Sequence, residues 1–163
     1  MKLSSLIALA ATAVFLTACG GGGDTGEDGV ISHNGEDTSP PAIPTVDLSA
    51  LPAPYNAADY DTGRRMFRRC ASCHTVTPDG GNRVGPNLYG MFGQVVGTQD
   101  GFDYSTALEE ADFIWTPEQL DAWLANPREF LPGNRMSFVG LRDEEDRVNV
   151  IAYLMHETGY SAD

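Results

Sequence analysis

The sequence predicts an all-α domain of about four helices joined by long loops and preceded by an N-terminal region without a packed fold. Between residues 55 and 163, helix-capping residues and apolar positions at helical spacing recur, and strand-like alternation is scarce. Residues 75–104 form a glycine-rich, irregular stretch, and a loop of that length in a compact domain usually has a function. So few helices indicate that something besides helices fills the middle of the domain.

The N-terminus has the pattern of an export signal. Lys2 precedes an apolar run from Leu6 to Leu16, which is too short to span a bilayer. The run ends in Leu-Thr-Ala-Cys, which resembles a bacterial lipobox, so residues 1–18 would be removed and Cys19 would carry lipid. The alternative is a plain signal peptide cleaved ahead of a spare cysteine. In the lipobox interpretation the two other cysteines remain as a pair.

The stretch from residue 19 to residue 54 predicts a tether. Glycines, acidic residues and prolines dominate it, basic residues are missing, and its apolar residues have no period. Such a composition is typical of a disordered segment, with an average end-to-end distance of roughly 30–35 Å. His33 lies here and is expected to be solvated. The tether would hold a folded domain, residues 55–163, near a membrane.

The charge of the chain narrows the function classes. The formal net charge of −13 argues against nucleic-acid binding, because such a protein needs a basic face to neutralise phosphates. After Lys2 every cation is an arginine, and four arginines stand between residues 64 and 69. An acidic chain therefore concentrates positive charge just before its most distinctive motif.

The first two helices are predicted from capping residues. One begins near Asn56 and continues toward Cys70, with Gly63 and Phe67 on its apolar stripe. A glycine inside a helix is destabilising, so Gly63 indicates that another backbone packs close to it. A short second helix is expected near residues 107–111, where Thr106 and Glu109 could form a capping box.

Two further helices have clearer starts. The run Thr-Pro-Glu-Gln at 116–119 supplies a capping threonine, a proline at the first helical position and a glutamine that closes the capping box. Pro127 should end that helix near Asn126. The last helix is predicted to start near Asp143, with acidic residues in its first turn, and to end at Gly159.

The motif Cys70-Ala71-Ser72-Cys73-His74 carries the chemistry, and three interpretations compete. A thiol–disulfide couple would be expected in a βαβ pattern, which is not seen. A zinc site needs four ligands, and no second Cys/His pair stands at zinc-finger spacing. In the third, two thiols bind a haem covalently through its vinyl groups, and the adjacent histidine is the proximal iron ligand. An export signal favours haem c, which is attached outside the cytoplasm.

The sixth iron position decides between an electron carrier and a gas-binding or peroxidase-like protein. Met66 shares the helix of Cys70 and so lies on the wrong side of the haem to reach the sixth position. Met155 and His156 lie in the last helix, where side chains are normally packed in the core or solvated. Met136 lies in the Pro-Gly turn of LPGNRMSF, which can deliver one side chain to the distal face; core packing is the alternative. The full set of candidates is Met66, Met91, Met136, Met155, His33 and His156.

From about Asp59 to Glu157 the chain resembles the class I c-type cytochromes, near mitochondrial cytochrome c and bacterial cytochrome c2. The matching runs are CASCHT, VGPNLYGMFG, YSTAL, WTPEQLDAWLANPREFLPGNRMSFVGL and IAYL. They occur in the family's order and spacing. The resemblance implies the cytochrome c fold, in which helices surround one covalently bound haem and the first and last helices cross.

The resemblance also implies the roles of the haem-binding residues. Cys70 and Cys73 would be the thioether sites, and His74 and Met136 the proximal and distal iron ligands. Pro86 would accept a hydrogen bond from the His74 imidazole through its backbone carbonyl, which fixes the ring.

Further roles follow from the same resemblance. Tyr104 and Trp115 would donate hydrogen bonds to a haem propionate. Gly63 and Phe67 would meet Tyr153 where the first and last helices cross.

Three positions depart from the family's pattern. Gln94 stands where an arginine often lies near the propionates, and loss of that cation should lower the reduction potential. Trp123 replaces a tyrosine that often donates to the methionine sulfur, although indole can also donate. Asn134 replaces a common threonine beside Met136.

We therefore expect a one-electron carrier and not an enzyme. It would be a periplasmic monomer, lipid-anchored to the inner or outer membrane of a bacterium. It would shuttle electrons between respiratory or photosynthetic complexes, from a bc1-type donor to an oxidase or a reaction centre. One alternative is a ligand-binding or peroxidatic haem protein with a labile Met136. The other is a structural lipoprotein with a Cys70–Cys73 disulfide.

The arginines suggest how partners dock. In the family the exposed haem edge is ringed by basic residues, mostly lysines, and here arginines would form the ring. The alternative is an ordinary solvated helix face. The predicted docking residues are Arg64, Arg65, Arg68 and Arg69 before the motif, with Arg128 and Arg135 from the distal side.

Overall fold

The computed structural model describes residues 46–161, so the predicted signal peptide, Cys19 and the tether up to residue 45 lie outside the described residues. Within the described part, the prediction of an all-α fold is confirmed. The helices are α1 (Tyr60–Phe67), α2 (Thr106–Glu109), α3 (Pro117–Ala125), α4 (Pro127–Phe130) and α5 (Glu144–Glu157). A short 3-10 helix over Tyr55–Ala57 precedes α1. The extended pairing in this range is one isolated antiparallel bridge, Val95 with Ile114.

The predicted start of α1 near Asn56 is wrong. Asp59 is the N-cap, and its carboxylate accepts a hydrogen bond from the backbone N–H of Thr62 at 2.5 Å. The backbone N–H of Asp59 donates to Asn149 Oδ1 of α5 at 2.8 Å. The helix start therefore combines a local cap with a contact to a residue far away in the sequence, and capping propensity alone does not distinguish Asp59 from Asn56. The helix ends at Phe67, and turns continue to the cysteines.

The predicted starts of α3 and α5 agree with the structure. Thr116 Oγ1 accepts from the Gln119 N–H at 3.2 Å, and Asp143 Oδ1 accepts from the Asp146 N–H at 3.0 Å. Helix α4 was not predicted. Pro127 ends α3 as expected, but it is also the first residue of α4, and Asn126 caps that new helix.

The core is built where α1 crosses α5. A Cβ at residue 63 would collide with the backbone carbonyl of Asn149, so the two helices approach at a distance that only glycine permits. The rings of Phe67 and Tyr153 lie 5.3 Å apart at the crossing. The close backbone inferred from Gly63 is therefore the backbone of α5, which also supplies the fully buried Val150 and Ile151.

The folded part begins before residue 55. Leu48 is 5% exposed and belongs to the hydrophobic core, and a backbone hydrogen bond from the Leu51 N–H to Leu48 O, at 2.9 Å, closes a turn. The predicted tether thus includes a short segment that packs on the domain. Among residues 46–161, no helix has the length and apolar character needed to cross a membrane.

The long loop between α1 and α2 is ordered by a buried amide. Asn87 Nδ2 donates to the carbonyls of Thr77 and Gly80 at 2.9 and 2.7 Å, and Asn87 Oδ1 accepts from the Tyr89 N–H at 3.0 Å. These bonds satisfy backbone groups that have no helix or strand partner. The loop can therefore form a fixed wall.

We predict that Gly63→Ala lowers the free energy of unfolding by about 1–3 kcal/mol, because the added methyl group must push α1 away from α5. Unfolding of the haem-loaded protein in guanidinium chloride, followed by far-UV circular dichroism, measures the effect. Gly81→Ala is the control, since a Cβ there meets nothing within 4 Å. Equal stability of the two variants would show that the crossing tolerates a side chain.

Candidate functional site

A cavity of about 1090 Å³ occupies the middle of the domain. This volume is slightly above the roughly 300–1,000 Å³ typical of ligand and cofactor pockets. The haem-contact residues predicted from the sequence all line it: Cys70, Cys73, His74, Pro86, Tyr104, Trp115 and Met136. Segments far apart in the chain thus converge on one space, as a buried cofactor requires.

The Cys-x-x-Cys-His run forms one wall of the cavity. The N–H groups of Cys73 and His74 both donate to Cys70 O at 2.9 Å, so the motif is a tight helical turn. Both thiols are free and half-buried. The turn presents two sulfur atoms and an imidazole to the same cavity, which is the arrangement that covalent haem attachment needs.

The Cys70 thiol does not resemble a catalytic thiol. Burial raises the pKa of Cys70 to about 11, and the nearby Arg69 opposes this only in part. Catalytic dithiols have lowered pKa values, because the thiolate is the attacking species. The thiol–disulfide interpretation therefore loses support. Zinc does as well, since no group of three or more His, Cys, Asp or Glu side chains within residues 46–161 is placed to hold a metal ion.

The His74 ring is held in one tautomer. Its Nδ1 lies 2.7 Å from the carbonyl oxygen of Pro86. A carbonyl only accepts, so Nδ1 carries the hydrogen and Nε2 keeps its lone pair. Burial lowers the pKa of His74, although the bond to Pro86 opposes this, so the imidazole is neutral. A neutral ring with a free Nε2 is ready to ligate iron.

Gly85 was not identified from the sequence, yet it shapes this wall. It is buried, and a Cβ there would collide with the imidazole of His74. Its N–H donates to Cys73 O at 2.9 Å. The only signal in the sequence is a glycine directly before Pro86. Its role becomes clear from the position of the His74 ring, which leaves no room for a side chain at residue 85.

The candidates for the distal ligand separate by position. Met136 and Met91 line the cavity, and Met91 is 8% exposed. Met66 is half-buried in the core, Met155 is buried in α5, and His156 is exposed beside Glu157. His33 lies outside the described residues. The geometry thus leaves two methionines in the described part of the chain that reach the cavity.

Three polar donors are among the side chains that line the cavity. Burial raises the pKa of Tyr104, so its phenol stays protonated and can donate. The indole N–H of Trp115 is also a donor. Ser105, next to Tyr104 in the chain, also lines the cavity, and its Oγ is buried without a hydrogen-bond partner. Three such groups fit an anionic substituent such as a haem propionate, because an unpaired buried hydroxyl is otherwise unfavourable.

Ser105 was missed in the sequence analysis. It stands next to Tyr104, but nothing in the run YSTAL distinguishes its hydroxyl from that of Thr106, which is exposed. Only its burial and its lack of a partner mark it.

Two of the three departures from the family's pattern face the cavity. Gln94 is exposed and lines it, so no cation stands at this position. Trp123 is 5% exposed and packs edge-to-face against Trp115, with ring centroids 5.6 Å apart. Both aromatic rings therefore contribute to a rigid wall. The third departure, Asn134, lies in the loop of Met136.

All six predicted docking arginines are exposed. Two are paired with carboxylates: Arg64 with Asp61 at 3.0 Å and Arg135 with Asp103 at 3.2 Å. Arg69 lines the cavity, and its guanidinium carbon lies 5.3 Å from the ring centroid of Phe138.

Comparison with known proteins agrees with this geometry. The family Cytochrome c matches residues 60–158, more than half of the chain. The chain belongs to the cytochrome c family. A cytochrome c of Chlamydomonas reinhardtii is 45% identical over 103 residues, which cover 63% of this chain and 92% of that protein.

Two bacterial relatives are also similar. "Cytochrome c-type cyt cy" of Rhodobacter capsulatus is 44% identical over 116 residues, covering 71% of this chain but 55% of that longer protein. A cytochrome c2 of Blastochloris viridis is 38% identical over 107 residues, covering 66% of this chain and 84% of that protein.

Family membership confirms haem c as the cofactor of this cytochrome, with Cys70 and Cys73 present for its attachment. It also confirms the cytochrome c fold, and it assigns the coarse function of an electron carrier. The residues that line the cavity fit the group: two thiols, a neutral imidazole, two methionines and a set of polar donors.

Proposed function

We propose that this cytochrome carries single electrons between membrane complexes of a respiratory or photosynthetic chain while lipid on Cys19 tethers it to a bacterial membrane. The observation that carries the electron-transfer part is the shared cavity. His74 comes to it from the Cys-x-x-Cys-His turn and Met136 from the loop after α4. Two such axial ligands would leave no open position for a substrate.

The bound haem supplies one-electron chemistry at its iron. The chain's own residues do the rest. Pro86 holds the ring of His74 in one orientation, and Tyr104 and Ser105 offer donors to a propionate. Trp123 and Leu124 are buried and line the cavity, where they would exclude water from the bound haem. A rigid, dry surrounding lets the charge of the iron change with little movement of the protein.

We predict that Met136→Leu removes the sulfur-to-iron absorption band of the oxidised protein and lets the reduced protein bind carbon monoxide readily. The reduction potential should fall by something on the order of 0.1 V, well within the range that axial ligands set. Absorption spectra and a redox titration measure both. Leucine conserves the volume of methionine, so packing is disturbed little.

Met91→Leu is the matched control, because Met91 is the other methionine at the cavity. It should leave the band and the potential unchanged. Loss of the band in Met91→Leu instead would make Met91 the ligand. If the wild-type protein itself binds carbon monoxide readily, this result supports the alternative of a peroxidatic or ligand-binding haem protein.

The docking part of the proposal is supported by the rim of the cavity. Arg68 and Arg69 are exposed directly before Cys70, and Arg69 reaches the cavity. Val84, an apolar side chain that also lines the cavity, is 81% exposed. A small apolar area with positive charge beside it is suited to brief, steered encounters with acidic redox partners.

We predict that reversing the charges of Arg68 and Arg69 together slows reduction of an isolated oxidase or reaction centre, roughly tenfold or more at low ionic strength. The effect should fade with added salt, since screening acts within about 10 Å at 0.1 M. Stopped-flow rates across a salt series measure it, and the potential should change little.

A matched pair of single variants isolates position from net charge. Arg69→Glu and Arg142→Glu change the charge equally, but Arg142 is exposed and does not line the cavity. Equal slowing by both would show that overall charge, not this rim, governs docking. Rates that do not depend on salt would exclude electrostatic steering altogether.

The localisation part rests on the sequence of the lipobox. We predict that Cys19→Ser releases a soluble, still red protein into the periplasm, whereas wild type stays with a membrane fraction, because the lipid attached at Cys19 provides the anchor. Fractionation with metabolic lipid labelling measures both. Identical fractionation of wild type and variant, without lipid label on either, would refute the lipid anchor and leave the electron-carrier proposal intact.

A further inference from the structure

The loop that presents Met136 has little backbone support. Within the described part of the chain, residues 135–140 make no backbone–backbone hydrogen bond. The turn before them is closed by the Asn134 N–H donating to Leu131 O at 3.3 Å, with Gly133 at a φ of +90°. A loop without a backbone ladder must be positioned by side chains.

Asn134 supplies that support with every part of its amide. Nδ2 donates to Pro127 O at 2.7 Å and to Leu131 O at 2.8 Å. Oδ1 accepts from the backbone N–H of Met136 at 3.0 Å. One side chain therefore joins both ends of α4 to the backbone of Met136.

A second attachment lies on the other side of the loop. The guanidinium of Arg135 donates to the backbone carbonyl and to the carboxylate of Asp103. Asp103 is exposed and precedes Tyr104, so this contact joins the loop to the propionate side of the cavity. It is an exposed ion pair, which usually contributes little. The half-buried amide of Asn134 is therefore the stronger attachment.

We propose that Asn134 is a positioning residue for Met136 and sets how readily that methionine yields the sixth iron position to another ligand. The inference rests on the proposed role of Met136 as distal ligand. A threonine, common here in the family, has one hydroxyl donor and cannot make two donor bonds together with the acceptor bond. The amide thus restrains residue 136 more tightly than a hydroxyl.

The experiment measures imidazole binding to the oxidised, haem-loaded full chain, followed by loss of the sulfur-to-iron band. Asn134→Ala removes all three hydrogen bonds of the Asn134 amide. We expect imidazole affinity to rise roughly tenfold or more, since each of these bonds stabilises the loop with Met136 at the cavity. Asn134→Thr should fall between Ala and wild type, and it decides the question if Asn134→Ala fails to fold.

Asn126→Ala is the matched control. Asn126 also attaches to α4, through the N–H and carboxylate of Glu129, but it does not contact Met136. It should lower stability by removing a helix cap, yet change imidazole affinity less than about twofold. Amide hydrogen exchange of Met136 gives a second readout, faster in Asn134→Ala and unchanged in Asn126→Ala.

The outcomes separate the two claims. Imidazole affinity unchanged in Asn134→Ala, or raised equally in Asn126→Ala, would overturn the positioning role. If Met136→Leu keeps the sulfur-to-iron band, the ligand assignment fails, and exchange of the Met136 amide still tests whether Asn134 holds the loop. If the amide hydrogen exchange of Met136 is unchanged in both Asn134→Ala and Asn126→Ala, Asn134 does not hold the loop.

Discussion

The backbone contact between α1 and α5 at Gly63 determines where the rest of the site can lie. Because no side chain stands between Gly63 and the carbonyl of Asn149, the two helices approach closely, and Asn149 also binds the N–H of Asp59 at the start of α1. Only two residues separate Phe67, the last of α1, from the first cysteine of the motif, so the crossing fixes the turn that carries both thiols and the imidazole. On the other side of the crossing, Val150 and Leu154 of α5 line the same cavity. One contact therefore orients two walls at once, and the covalent cofactor completes a core that the helices alone leave open.

Burial in the cavity determines the protonation of His74 and Cys70. The cavity lowers the pKa of His74 and raises the pKa of Cys70, so both groups are neutral before haem is attached. Charge is kept to the rim, where Arg69 stacks on Phe138. The arginines next to the motif lie at the surface of a neutral cavity, and none needs to be buried. The absence of lysine in the folded part favours forked and stacked contacts, which guanidinium makes and ammonium does not.

The sequence predicted those features that local chemistry decides. The starts of α3 and α5 depend on a side chain and an N–H three residues apart, so Thr116 and Asp143 marked them correctly. The start of α1 also has a local cap, Asp59 with the N–H of Thr62, but Asn56 is a similar capping residue three positions earlier. The contact of Asp59 with Asn149, which is remote in sequence, could not be predicted locally. Helix α4 was not predicted, because Pro127 follows the end of α3 and is also the first residue of α4. Ser105 and Gly85 acquire their roles only from what lies next to them after folding. The resemblance to a family predicted the haem and its fold, whereas spacing alone left the distal ligand open.

If Met136 is the distal ligand, as proposed, the cavity wall that carries His74 and the loop that carries Met136 are supported in different ways. The proximal wall is held by backbone hydrogen bonds within a helical turn and by the bond from His74 to Pro86. The loop of Met136 has no such ladder, and its attachment runs through the amide of Asn134 and the ion pair of Arg135 with Asp103. Bonds of this kind each contribute modestly. A few side chains therefore set the free-energy difference between the loop in this position and a loop with Met136 moved away. The wall that carries His74 is thus held by the fold, and the loop that carries Met136 is held by side chains that can change without altering the fold. In the proposed arrangement these side chains decide whether Met136 stays in place and keeps other ligands from the iron.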